Sequence, residues 1–187
     1  SGGHTQILKV HDHFNMEILG KTIDDAAGEA FDKAAKILGL PYPGGPIINK
    51  MAEDGDPYKF SFSVAHIPGL DFIRDQLKEN PAFIEENIHD LAASIQYAIV
   101  KSLMDKMSKA VKIHNCKHIA LSGGVAANTA LRDAMTQLAK KQRLELTLPH
   151  RSLTTDNAAM IAAYGYFKYL RKDFSNIHAI PYSSKER

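Results

Sequence analysis

Between Pro81 and Asn115 the apolar residues Ile84, Ile88, Leu91, Ile95, Ile99, Leu103, Met107 and Val111 return every three or four positions. That spacing predicts one long helix with a single buried stripe. Shorter apolar runs follow it. His118 to Ser122 (HIALS) reads as a buried strand, Ala127 to Lys141 as a second helix, and Leu144 to Pro149 (LELTLP) alternates as a strand does. Thr155 then stands as the cap of a last helix carrying Met160, Ile161, Tyr164, Phe167 and Leu170. The order helix, strand, helix, strand, helix is that of an α/β unit with parallel pairing.

Upstream the pattern is less regular. Residues 4–10 (HTQILKV) predict a strand leaving a first glycine pair, as though the chain opened inside a strand-turn-strand unit. Residues 22–38 have Thr22 as a cap, acids in the first turn and an alanine-rich body, which predicts a helix ended by Gly39. LPYPGGP, residues 40–46, predicts a rigid turn with a short helix near Ile47 to Met51 behind it. From Glu53 to Gly69 the rising polar, proline and glycine content predicts a loop, and residues after Lys172 a solvated basic tail.

Composition narrows the classes. In 187 residues, 44% are hydrophobic and 24% charged, which excludes a disordered chain and allows one substantial core or two small lobes. The longest apolar runs fall well short of the ~20 residues that cross a bilayer. One cysteine, Cys116, permits neither a disulfide framework nor a thiolate metal cage, and suits a reducing cytoplasm. It reads as a packed residue at a strand edge rather than a nucleophile. A net charge of +2 is too slight to indicate a polyanionic partner by itself.

Several short motifs could carry chemistry. Ser122-Gly123-Gly124 lies between a strand and a helix, where backbone N–H groups and the helix dipole converge on one point. Two readings fit it equally: a cradle for phosphate, or a turn that needs glycine for its dihedrals. Asn128, just beyond, has an amide that can bind a ribose or base or satisfy the helix start. Ser1-Gly2-Gly3 repeats the glycine turn at the beginning of the chain. Asp25, Glu29 and Asp32 are spaced to share one helix face, where carboxylates could hold Mg²⁺ waters or instead form a solvated acidic surface. Gly28 in that helix suggests close approach of another group. Asp156 is expected in the first turn of the last helix, where ligands bind at strand ends and where acids also favour the dipole. No pair among His11, His13, His114, His118 and His150 has metal-ligand helical spacing, and they read as surface residues.

Four segments taken in order carry a resemblance: SGGHTQ, GKTIDDAAGEAFDKAAKILGLPYPGGP, LSGGVAANTALR and TTDNAAMIAAYGY. Together they resemble the C-terminal half of the tRNA threonylcarbamoyltransferase family, TsaD, formerly called O-sialoglycoprotein endopeptidase. The resemblance implies an α/β, actin-like ATPase (ribonuclease H-like) fold, of which residues 1–187 form the second lobe, with a helical insertion at about 22–115 and the N-terminal lobe missing. It implies transfer of threonylcarbamoyl from threonylcarbamoyl-AMP to the adenosine next to the anticodon in tRNAs reading codons that begin with A.

By position, the resemblance puts binding of the adenylate or ATP on Ser1, Gly2, Gly3, Asp32, Gly45 and Asn128, and one metal ligand on Asp156. It implies one divalent ion, iron or zinc, in the intact protein, and partners of the TsaB, TsaC and TsaE type. The family's paired histidine ligands precede the first glycine turn and are absent here, so the fragment alone is expected to be inactive. Pro68-Gly69-Leu70-Asp71-Phe72 runs straight into Ile73, whereas the family has S-F-S-G-L-K-T at that point, which implies a segment missing between residues 72 and 73. A metallopeptidase is disfavoured because the chain has no H-E-x-x-H. A nucleotide-binding, actin-like partner subunit without turnover is the alternative.

Overall fold

The computed structural model describes residues 3–62 and 70–176. Among the described residues two short sheets and six α-helices make a mixed α/β structure. Strands β1 (Gln6–Val10) and β2 (Met16–Lys21) form an antiparallel hairpin whose register slips between Ile7 and Leu8. Helices α1 (Ala27–Ile37), α2 (Gly44–Met51), α3 (Leu70–Glu79) and α4 (Phe83–His114) follow. Strand β3 (His118–Ala120), helix α5 (Thr129–Gln142) and strand β4 (Glu145–Thr147) form a parallel crossover unit, in which Ile119 faces Leu146. Helix α6 (Ala158–Leu170) completes the described chain.

The predicted long helix is present, with non-helical dihedrals at Asn87 near its start and Asn115 in the left-handed region at its end. Its middle is buried on more than a stripe: from Leu91 to Val100 every residue except Tyr97 is buried. Leu91 and Ile95 are fully buried, packed with Phe31 of α1 and Ile48 of α2. A second cluster joins Val100 and Val111 of α4 to Leu131, Met135 and Leu138 of α5. Gln96 meets Asn128 at one end of the α4–α5 contact and Ser108 meets Gln142 at the other, so the two helices run in the same direction. The predicted parallel pairing of HIALS with LELTLP holds.

Helix starts differ from the sequence expectation, and for α1 the reason is a cap brought from elsewhere. Helix α1 begins at Ala27, not Thr22. Thr22 instead extends the hairpin, its N–H donating to Thr5 O, while its hydroxyl donates to Asp25 O. The start of α1 is satisfied by Thr5 Oγ1, which accepts from Ala27 N at 2.8 Å, and by Glu29, which accepts from Ala26 N at 3.1 Å. Gly28 therefore sits in the first turn and not mid-helix. Gly39 follows α1 with φ +72°, as expected of a helix-ending glycine. Helix α2 opens at Gly44, one turn earlier than predicted, because Pro46 is tolerated in a first turn where its missing N–H would have no partner. Helix α3 begins at Leu70 and runs unbroken across the Phe72–Ile73 junction. Strand β2 has no counterpart in the sequence reading.

Helix α5 starts at Thr129, after a 3-10 turn over Gly124–Ala127. Asn157, not Thr155, caps α6, accepting from Met160 N at 3.1 Å. Asp156 accordingly precedes the helix. None of the described side chains of α6 is buried, and Ile161, Tyr164 and Leu170 are exposed together with Val10 and Ile18 of the hairpin. Helix and hairpin meet where His13 stacks on Phe167, Phe14 tilts against Tyr164, and the Arg171 guanidinium lies 4.0 Å over Phe14.

Candidate functional site

The acidic face expected of Asp25, Glu29 and Asp32 does not form, because each carboxylate is drawn to a different partner. Asp25 precedes α1 and pairs with Lys33. Glu29 caps the start of its own helix. Asp32 accepts from Gly44 N at 2.8 Å, which pins α2 to α1. Among the described residues no group of three or more His, Cys, Asp or Glu side chains is placed to hold a metal ion.

Three of the predicted binding positions are nevertheless linked. Asp32 holds Gly44, and Gly45 is the next residue in the first turn of α2. A Cβ built on Gly44 would stand 2.2 Å from Ala35 Cβ, so the glycine permits this close packing of α1 and α2, whereas one on Gly45 would meet only Phe31 Cβ at 3.7 Å. One turn on, Asn49 reaches the start of α5: its Oδ1 accepts from Thr129 N at 2.9 Å and its Nδ2 donates to Thr129 Oγ1 at 3.3 Å. Thr129 adjoins Asn128. Helix α2 thus bridges Asp32 and Gly45 to Asn128. Asp32 also borders an open depression with Lys36, Leu40 and Tyr42.

Asn128 is buried, 8% exposed, and is the N-cap of α5: its Oδ1 accepts from Leu131 N at 2.9 Å. Its Nδ2 donates to Gln96 Oε1 of α4 at 2.6 Å. With Thr129 N and Leu131 N both engaged by side chains, the first turn of α5 is capped internally. Between Gly123 and α5 stand a 3-10 turn and the Asn128 cap, so the glycine turn does not open directly onto the helix. Gly123 does need to be glycine, at φ +88°, and so does Gly3, at φ +119°. Ser1 and Gly2 lie outside the described residues.

Asp156 is exposed, in the link between a 3-10 turn at Arg151–Leu153 and α6. That turn is tied to the same region, with Arg151 donating to Thr129 Oγ1 at 3.4 Å and Arg132 donating to Pro149 O at 3.0 Å and to Ala126 O at 2.9 Å. Asp156 belongs to no group of three or more His, Cys, Asp or Glu side chains among the described residues, so these side chains do not by themselves fit a resident metal ion.

Asn49 and Gln96 were not singled out from sequence. Gln96 had a signal, since it and Ser94 are the polar positions in the otherwise apolar, buried part of α4.

Comparison with known proteins gives these positions a setting. Residues 1–163 match the family model of TsaD, described as tRNA N6-adenosine threonylcarbamoyltransferase. A protein of that name from Porphyromonas gingivalis is 49% identical over 98% of this chain and 57% of its own length. Proteins of the same name from Christiangramia forsetii and Thermotoga neapolitana are 50% and 45% identical, over 94% and 93% of the chain. The chain therefore spans a little over half the length of the relatives it matches. The alignment with the Porphyromonas gingivalis protein runs over 195 positions although this chain has 187 residues, so that relative carries residues inside the matched stretch that have no counterpart here. With the family model covering most of its length and relatives near half identity, the chain belongs to the tRNA N6-adenosine threonylcarbamoyltransferase family, TsaD, whose fold class is actin-like and ribonuclease H-like.

Proposed function

We propose that the protein to which this chain belongs transfers a threonylcarbamoyl group from threonylcarbamoyl-AMP to the exocyclic amine of the adenosine next to the anticodon, in tRNAs reading codons that begin with A. The family match over residues 1–163 carries this reading, and the linkage of Asp32, Gly45 and Asn128 through α2 supports it. In the reaction the adenosine amine attacks the carbamoyl carbonyl. A C–N bond forms, the bond from that carbon to the phosphate oxygen breaks, and AMP leaves while the amine loses a proton to solvent. No covalent enzyme intermediate is required.

In this scheme Ser1, Gly2, Gly3, Asp32, Gly45 and Asn128 hold the adenylate or ATP. Asp32, with one carboxylate oxygen committed to Gly44 N, has the other to accept a ribose hydroxyl. Backbone at Gly45 is open to close approach, since nothing but Phe31 Cβ lies near the space of its missing side chain. Asp156 supplies one carboxylate ligand to an iron or zinc ion, and the remaining ligands come from outside the described residues. Residues 1–187 form the second lobe of a two-lobe fold, with the helical insertion at about 22–115 and a segment absent between residues 72 and 73. Proteins of the TsaB and TsaE type are its partners, a TsaC-type synthase supplies the adenylate, and the site of action is the cytoplasm. Among the described residues no helix is long and apolar enough to cross a membrane.

The alternative reading for the chain by itself is a nucleotide-binding, actin-like lobe without turnover. One assay separates the two: intact protein, threonylcarbamoyl-AMP, unmodified tRNA and the partner proteins, scored by mass spectrometry of nucleosides. Modified adenosine, lost on Asp156→Ala, is the expected result. Absence of product with all partners present overturns the transfer reading.

A further inference from the structure

The fold has already used half of the Asn128 amide. A carboxamide has two N–H donors and one oxygen with two lone pairs. One lone pair is taken by Leu131 N at the start of α5, and one N–H by Gln96 Oε1 at 2.6 Å. Turning the amide over would set Oδ1 against Gln96 Oε1 and Nδ2 against the Leu131 N–H, replacing two hydrogen bonds by two repulsive contacts. Its orientation is therefore locked, and one Nδ2 proton is left over. The neighbouring helix donor offers no substitute, since Thr129 N is engaged by Asn49.

Gln96 occupies an unusual place for this task. It lies on the buried stretch of α4, is 8% exposed, and its nearest polar companion across the helix interface is Asn128 itself. A carboxamide in an apolar core is destabilising unless paired, and a paired one holds its partner in a single orientation. Packing alone would be met by leucine or methionine at this position.

We infer that Gln96 is a positioning residue, which fixes the Asn128 carboxamide so that it presents one N–H donor to a hydrogen-bond acceptor on the bound adenine nucleotide, a ribose oxygen or a ring nitrogen. This deepens the proposed function and rests on its assignment of Asn128 to the nucleotide.

Three variants of the intact protein test it, with ATP as the probe and isothermal titration as the measure. Asn128→Asp keeps an oxygen to cap α5 and removes the donor. Gln96→Met keeps the bulk and removes the acceptor, while Gln96→Glu keeps an acceptor oxygen. Loss of one neutral hydrogen bond weakens binding roughly three- to tenfold, so Asn128→Asp and Gln96→Met should lose about that much and Gln96→Glu less than about twofold. Among 2′-deoxy, 3′-deoxy and ring-deaza analogues of ATP, one should bind more weakly than ATP to the wild type but equally to Asn128→Asp, which identifies the acceptor. A purely structural role for Gln96 would not produce that pairing of variant with analogue. If the wild type binds ATP and Asn128→Asp and Gln96→Met bind it equally well, the inference fails and the proposed function stands. A wild type that binds no adenine nucleotide overturns both.

Discussion

Gly44 and Gly45 are adjacent, both lie in the first turn of α2, and replacement of each by alanine should shift stability in opposite directions. Neither has positive φ, so alanine is conformationally acceptable at both. Without steric conflict, Gly→Ala should stabilise by about 0.4–1 kcal/mol through the reduced entropy of the unfolded chain. At Gly45 the new methyl meets Phe31 Cβ at 3.7 Å, an ordinary contact, and that gain should appear. At Gly44 it meets Ala35 Cβ at 2.2 Å, Phe31 O at 3.1 Å and the Asp32 Cα at 3.2 Å. Carbon atoms pack at about 3.5–4.0 Å, so α1 and α2 must part by more than ~1 Å. None of the opposing atoms is the end of a flexible side chain.

Overpacking of this kind costs about 1–3 kcal/mol. Separation also lengthens the 2.8 Å bond from Gly44 N to Asp32 beyond hydrogen-bonding range, which removes a further contribution of about 1 kcal/mol after discounting for the half-exposed carboxylate. Against the entropic gain, the net expectation for Gly44→Ala is a loss of about 2 kcal/mol, or roughly 4–8 °C in Tm for a domain of this size. Urea unfolding of the two variants, followed by circular dichroism, measures the difference. If Gly44→Ala equals or exceeds Gly45→Ala in stability, the close packing of α1 on α2 is wrong, and with it the placement of Asp32 beside Gly45. Under the proposed function, Gly45→Ala should also weaken ATP binding while the fold gains stability.

Truncation of a fully buried side chain, Ile95→Ala, should cost about 2–5 kcal/mol in the same unfolding measurement, since Ile95 packs where α1, α2 and α4 meet. Asn49→Ala removes the acceptor for Thr129 N and should cost on the order of 1 kcal/mol, with Asn49→Asp retaining most of it. The Asp90 carboxyl is held below the usual range by Lys59 Nζ at 2.6 Å, helped by Asp56 N at 2.8 Å. Its folded pKa lies below the unfolded value of about 3.9, so its contribution is complete above that pH and disappears as pH falls through the folded value. Acid unfolding of Asp90→Asn should accordingly show a weaker loss of stability below about pH 4, and an unchanged acid limb would refute the pairing.

Much of the fold was legible where one periodicity ran long enough to be decided locally. Helix α4 is the clearest case, and the β3–α5–β4 unit follows from two apolar runs separated by a glycine turn and a helix. Element starts were less legible because their caps are distant in sequence: Thr5 serves α1 across 22 residues, and Asn49 serves α5 across 80. Thr22 and Thr155 have the chemistry of caps but are used elsewhere, which no local rule registers. Asp25, Glu29 and Asp32 failed as a set because Asp25 lies before the helix and the others answer to backbone donors. At the candidate site the hydrogen-bond partners of Asp32 and Asn128 were not legible, because Gly44 and Gln96 lie 12 and 32 residues away. Asn128 offers either a ligand contact or a helix cap, and the structure makes it a cap that keeps one Nδ2 proton unshared.

The common direction of α4 and α5 has an electrostatic consequence. Helices that run together also finish together, and here Lys112, Lys117, Lys140, Lys141 and Arg143 are all exposed at that shared end. Among the described residues none of the five is engaged in an ion pair, and the nearby Glu145 faces His118. A formal charge of +2 is then the sum of one strongly positive pole and a remainder that is net negative. The protein should behave on a cation exchanger as a far more basic molecule than its net charge implies, bound by one end and released by modest salt. Replacing Lys140 and Lys141 by glutamine should advance its elution more than the same change at two lysines elsewhere.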